Sequence, residues 1–127
     1  MDEYLVPNAS FMRLYNEYLK YGSLVIAYDF DNTVYDFHKK GATYEMVVAL
    51  LRKLKSVGCY IICFTANSDK EFVLNYLKEN NIPLDSLNEN PPFFKSEERK
   101  IYYNALLDDR AGLLQVYTEL NLLTQLL

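Results

Sequence analysis

Three apolar runs constrain this chain more than any other feature: "SLVIAYD" at 23–29, "CYIICFT" at 59–65 and "NALLDD" at 104–109. None alternates apolar with polar residues, so each predicts a strand covered on both faces, as in a parallel sheet. Helical periodicity occupies the intervals. Asn8 is placed to cap a first helix over about 9–21, which gathers Phe11, Leu14, Tyr15 and Tyr18 on one side, and Gly22 stops it. Thr43 opens a second helix, to about Val57, ahead of Gly58. Ser68 and Glu71 have the spacing of a capping box for a third, to about Glu79, with Asn80, Asn81 and Pro83 beyond it. Shorter features are a strand within 84–87, a helix from Glu97 capped by Ser96, and a final helix from Ala111 to about Leu120. Residues 37–42 and the "NENPP" stretch read as loops.

This alternation predicts an α/β fold, a three-layer Rossmann-like domain around a central parallel sheet. At 127 residues the chain suits one domain, 1–127, with its core over about 24–120. In such sheets ligands bind outside the carboxyl ends of the strands. Each run delivers polar residues to that edge: Asp29 and Asp31, then Thr65, then Asp108 and Asp109.

Asp29 and Asp31 are two positions apart, so in extended chain they point to one side, about 6–7 Å apart at Cα. With Asp108 and Asp109 beside them, the carboxylates share one crevice, which is strongly unfavourable without compensation. A hard divalent cation with oxygen ligands resolves the conflict, and Mg2+ is the natural choice between carboxylates and a phosphate. The pair also divides the labour. One carboxylate can attack phosphorus and carry an aspartyl-phosphate. The other can protonate the leaving oxygen and later deprotonate a water. The Thr65 hydroxyl and the N–H groups near Phe30, Asp31 and Ala66 can hold phosphoryl oxygens, and a lysine can neutralise charge there.

In order and placement these motifs resemble those of the haloacid dehalogenase-like superfamily. "DFDNTV" is similar to its first motif, "YIICFTAN" to its second and "ALLDDRAG" to its fourth, while the third is a lysine upstream of the last strand. The resemblance spans about 24–112. It implies Asp29 as nucleophile and Mg2+ ligand, and Asp31 as general acid/base with its main-chain carbonyl on the metal. It implies Thr65 as the phosphoryl ligand, and Asp108 on the metal directly or through water, supported by Asp109. The lysine is Lys100, from the pattern Lys-x-x-x-Asn-x-x-x-Asp-Asp that ends at Asp109, with Lys95 beside "PPFF" as the competitor. Members usually carry a cap domain, but the intervals 34–62 and 66–99 have no room for one. The resemblance therefore implies a small capless member with an open site. Such a site suits phosphorylated protein or nucleic-acid ends, or small phosphate esters where a second copy of the chain covers it.

The expected function is a Mg2+-dependent phosphatase working through aspartyl-phosphate. Two rivals stand beside it. A response-regulator receiver uses the same chemistry, but its paired acids belong near the first strand and its lysine near the last, the reverse of the order here. A non-catalytic phosphate-binding module needs only the fold. Individual residues also have ordinary roles. Asp29, Asp31, Thr65 and Asn67 suit turns, although Asn67 can also touch phosphate, and Asp109 suits the cap of the last helix. His38 reads as a loop surface residue. Arg110 either orients the acids or forms a surface ion pair. Lys39, Lys40, Arg52, Lys53 and Lys55 read as solvated, and "LLQVYTELNLLTQLL" reads as core before dimer interface.

Charge and composition narrow the setting. A net charge of -4 disfavours nucleic-acid binding by bulk charge and leaves nucleic acid only as a substrate. No apolar run has membrane-spanning length. "MDEYLVPNAS" lacks both the basic start and the apolar stretch of a secretory leader, so the expected location is cytoplasmic. Cys59 and Cys63 lie about 13 Å apart along one strand, beyond the ~7 Å reach of a disulfide, and are expected to be reduced and buried.

Overall fold

The three apolar runs become parallel strands in the computed structural model, which describes residues 2–127. The strands are β1 (Val25–Tyr28), β2 (Tyr60–Cys63), the two-residue β3 (Ser86–Leu87) and β4 (Ala105–Leu107). They form one parallel sheet in the order β3-β2-β1-β4. Every residue of β1 is buried, which explains why its sequence does not alternate. Pairing aligns Ile26 with Ile61 and Ala105, and Tyr28 with Cys63 and Leu107, on one face. Ala27, Ile62 and Leu106 align on the other.

Helices α1 (Ala9–Tyr21), α2 (Glu45–Ser56), α3 (Lys70–Glu79) and α4 (Leu113–Leu126) complete the α/β fold. Their buried apolar residues, among them Leu14, Leu51, Leu77 and Leu120, join the core on the face of Ile26 and Tyr28. The opposite face carries Val25, Ala27 and Ile62 and is covered by Ile101, Tyr102 and Tyr103. The third layer is thus the 88–104 connection rather than a helix. No cap domain interrupts the described residues. Among them, no helix is long and apolar enough to cross a membrane.

Several capping expectations are corrected. Asn8 makes no side-chain cap; it sits at φ 67 and offers its main-chain carbonyl to Met12 N–H at 3.0 Å. Thr43 is one residue too early, because Tyr44, at φ 52, precedes the first helical residue. The cap of α3 is Asp69 rather than Ser68. Asn67 Oδ1 accepts Asp69 N–H (2.9 Å), and the resulting Asx-turn delivers Asp69 to accept Phe72 N–H (3.1 Å). Nor does a helix form at Glu97. Ser96 Oγ accepts Glu98 N–H, but Tyr102 N–H is drawn to Asn90 Oδ1 and Asn104 N–H to the Val25 carbonyl, so the segment bonds outward instead of to itself. Helix α4 runs past Leu120 because Leu123 and Thr124 are buried as well. Cys59 and Cys63 are free and buried, as expected, and burial pushes the Cys63 thiol up to about 12.

Candidate functional site

The strand order positions the site. From β1 the chain moves through α2 to β2 on one side, yet β4 returns on the other. The sheet's switch point therefore lies between β1 and β4, where ligand crevices open in folds of this kind. Asp29 follows β1 and is tied to the adjacent strand by donating its N–H to the Leu107 carbonyl at 2.9 Å. Asp108 and Asp109 follow β4 directly. Each of these three residues offers a carboxylate oxygen, and the oxygens all lie within 4.8 Å of one another.

Local bonds fix the acids. Asp108 Oδ1 accepts Arg110 N–H at 2.9 Å, and its main-chain carbonyl accepts Ala111 N–H at 3.0 Å. Asp109 N–H donates to Thr33 Oγ1 at 3.1 Å, and Thr33 is fully buried. Arg110 thus orients Asp108 through its main chain while its side chain is exposed. Asp109 is not a cap, since α4 starts after Gly112 at φ 68.

Burial leads the electrostatics, with like charges behind it. Asp29 is raised from 3.8 to about 7 by its burial, then by its hydrogen bond with Asp109 and the charge of Asp108, against the lowering effect of Phe30 N–H. Among the described residues the ion pairs are Arg13–Glu17 and Lys55–Asp85, so none reaches these acids. Asp31 stands outside the trio, and its Oδ1 is buried without a hydrogen-bond partner. The donor set fits a hard divalent cation: three carboxylate oxygens clustered within 4.8 Å, and two residues beyond Asp29 a buried carboxylate oxygen with no protein partner.

A set of donors follows the carboxyl end of β2, the strand paired with β1. Thr65, 8% exposed, holds Asn88 at both main-chain groups: Thr65 N–H to Asn88 Oδ1 (2.8 Å) and Asn88 Nδ2 to the Thr65 carbonyl (2.9 Å). The Thr65 hydroxyl oxygen accepts Asn67 N–H at 3.0 Å, which leaves its hydrogen to donate. Among the described residues the N–H groups of Asp31 and Ala66 have no partner within the protein. The Phe30 side chain turns away into an aromatic cluster with Tyr35, Phe72 and Tyr76, so only its main chain belongs to the site.

The lysines are not brought to the acids. Lys95 and Lys100 are exposed. Lys100 lines a surface hollow with Phe94, Ser96, Ile101, Tyr102 and Tyr103. Neither is among the groups that shift Asp29. His38 is an exposed loop residue packed edge-on to Phe37. Sequence reasoning missed Thr33 and Asn88. Thr33 carried a signal, the hydroxyl at the end of Asp-x-Asp-x-Thr, whereas Asn88 sat in a stretch that read only as a turn.

No protein-family model matches the chain, and no curated protein does. Among solved structures it is similar to a conserved protein from Bacteroides thetaiotaomicron, with a TM-score of 0.64 over 78% of this chain and 90% of that one, at 18% identity. That likeness is one of fold.

Proposed function

We propose that the protein is a cytoplasmic, Mg2+-dependent phosphatase that hydrolyses a phosphate monoester through an aspartyl-phosphate on Asp29. The observation that carries this reading is the convergence of Asp29, Asp108 and Asp109 within 4.8 Å at the switch point of a parallel sheet. Asp29, Asp108 and Asp109 would hold the ion, with the main-chain carbonyl of Asp31. Bound there, Mg2+ supplies positive charge to the acids and to the phosphoryl oxygens.

The chain's own residues do the rest. The Asp29 carboxylate attacks phosphorus, and the bond to the leaving oxygen breaks as Asp31 gives that oxygen a proton. Asp31 then takes a proton from water, the water oxygen bonds to phosphorus, and the bond to Asp29 breaks. The Thr65 hydroxyl and the N–H groups of Asp31 and Ala66 hold the phosphoryl oxygens throughout, and the unbonded Nδ2 of Asn67 is a further donor beside them. The positive charge that the resemblance gives to Lys100, or to Lys95, falls to the metal in this reading. With no cap, the substrate is any accessible phosphate monoester, a small molecule or a phosphorylated macromolecular end.

Turnover of an aryl phosphate tests the reading. The wild type is expected to release phosphate with Mg2+ and not with excess chelator, and Asp29→Asn to lose at least about 1,000-fold in kcat, the scale of a removed nucleophile. Equal rates in Asp29→Asn and wild type would contradict it.

A further inference from the structure

We infer that Asn88 is the positioning residue for the Thr65 hydroxyl, a role that rests on the phosphatase reading above. Strand β3 ends at Leu87, too early to pair with the residues beyond Cys63. Asn88 N–H still reaches the Cys63 carbonyl, at 2.9 Å. Its φ of 56° then turns the main chain away, in a region that asparagine enters at less cost than most side chains. The side chain continues the ladder in place of the strand. One planar amide accepts from Thr65 N–H (2.8 Å) and donates to the Thr65 carbonyl (2.9 Å), two bonds that a continued parallel β3 would have made from two residues, two positions apart.

The consequence falls on the hydroxyl. With both main-chain groups of Thr65 bonded, rotation about its φ or ψ breaks a bond at a nearly buried residue. Asn67 N–H occupies a lone pair of Oγ1 at 3.0 Å. What remains free is the hydroxyl hydrogen, on the residue that follows Phe64, whose own N–H bonds the Tyr28 carbonyl at the end of β1 at 2.8 Å. Position 88 requires an amide. Aspartate keeps the acceptor and tolerates the left-handed backbone but has no donor for the Thr65 carbonyl. Glutamine is a methylene too long, and alanine has neither group. A shift of the phosphoryl ligand by about 1 Å can cost about 100-fold in rate.

A double-mutant cycle with Mg2+ and an aryl phosphate tests this role, with kcat, KM and calorimetric binding of inorganic phosphate all measured. Asn88→Ala and the near-isosteric Asn88→Asp are each expected to lower kcat/KM about 100-fold and to weaken phosphate binding. In a Thr65→Ala background the same changes are expected to cost less than about threefold, because the group they act through is gone. An equal loss in both backgrounds, or full kcat/KM in both Asn88 variants, would overturn the role while leaving an active phosphatase in place. A wild type that neither hydrolyses the ester nor binds phosphate would overturn the phosphatase reading, and this role with it.

Discussion

Asp29 shows how single residues depend on neighbours that the chain brings from far away. Its carboxyl rises from 3.8 to about 7 through burial, Asp109 and Asp108. Between those values the native chain holds a proton that the unfolded chain has released. Its contribution to stability is therefore greatest at the acidic end and falls as pH rises through the window. In denaturant unfolding without divalent cations, wild type is expected to lose more stability than Asp29→Asn between about pH 4 and about pH 8. Parallel pH profiles would contradict the coupling. On the proposed reading, Mg2+ would displace the same proton, so calorimetry is expected to find proton release on binding and tighter binding at about pH 8 than at about pH 6. The lysines are separate. With no lysine acting on Asp29, Lys95→Ala and Lys100→Ala are each expected to keep kcat within about tenfold. A larger loss would bring one of them into the site. Sequence legibility divides along the same line: the convergence of Asp29, Asp108 and Asp109 was legible because a doubly buried strand announces its own end. Asn88 acts across the sheet on a residue of another segment, and no local pattern encodes that.

Among the elements, bodies were easier to read than ends. Helix α1 follows its apolar spacing from Ala9 to Tyr21, and Gly22, at φ 75, closes it by donating its N–H to the Tyr18 carbonyl at 2.7 Å. The start of α3 was displaced by one residue because Asn67 and Asp69 form consecutive side-chain turns. Asp69→Ala is accordingly expected to cost about 1 kcal/mol in urea unfolding, and Ser68→Ala no more than about 0.5 kcal/mol. Equal costs would restore the capping box. The 36–44 connection depends on one side chain. Asp36 accepts the N–H groups of Lys40 (3.1 Å), Gly41 (2.7 Å) and Ala42 (3.1 Å), and these bonds hold its carboxyl below the ordinary range. Asp36→Ala is expected to speed tryptic cleavage after Lys39 and Lys40 without lowering the melting temperature by more than a few degrees. Unchanged cleavage would mean that the loop is held by other contacts. The absent helix at Glu97 has a related cause. Its donors bond to Asn90 and Val25, and neither partner is visible in the local sequence.

At the scale of the whole molecule, strand order turns separate acids into one site. β1 lies between β2 and β4, whereas the 2-1-3-4-5 order of receiver-type folds sets strand 1 between strands 2 and 3. Helices gather on one face and the 88–104 connection covers the other, and among the described residues no added domain screens the acid edge. The overall class was legible because parallel strands and helices must alternate. The thinness of the third layer was not, since it depends on what Ile101 and Tyr102 meet after folding. An ion bound by residues from both β1 and β4 ties the two strands together. Saturating Mg2+ is therefore expected to raise the melting temperature of wild type, and to do so far less in Asp108→Asn. An equal rise in both would remove Asp108 from the metal site.

The most direct measurement traps the proposed intermediate. Protein turning over an aryl phosphate with Mg2+ is quenched in acid and reduced with borohydride, which converts an aspartyl-phosphate to homoserine. Peptide mass mapping then locates the change. The expected result is homoserine at position 29 alone, dependent on both substrate and Mg2+. Turnover with the modification at position 108 or 109, or with none at position 29, would contradict the assignment of Asp29 as nucleophile.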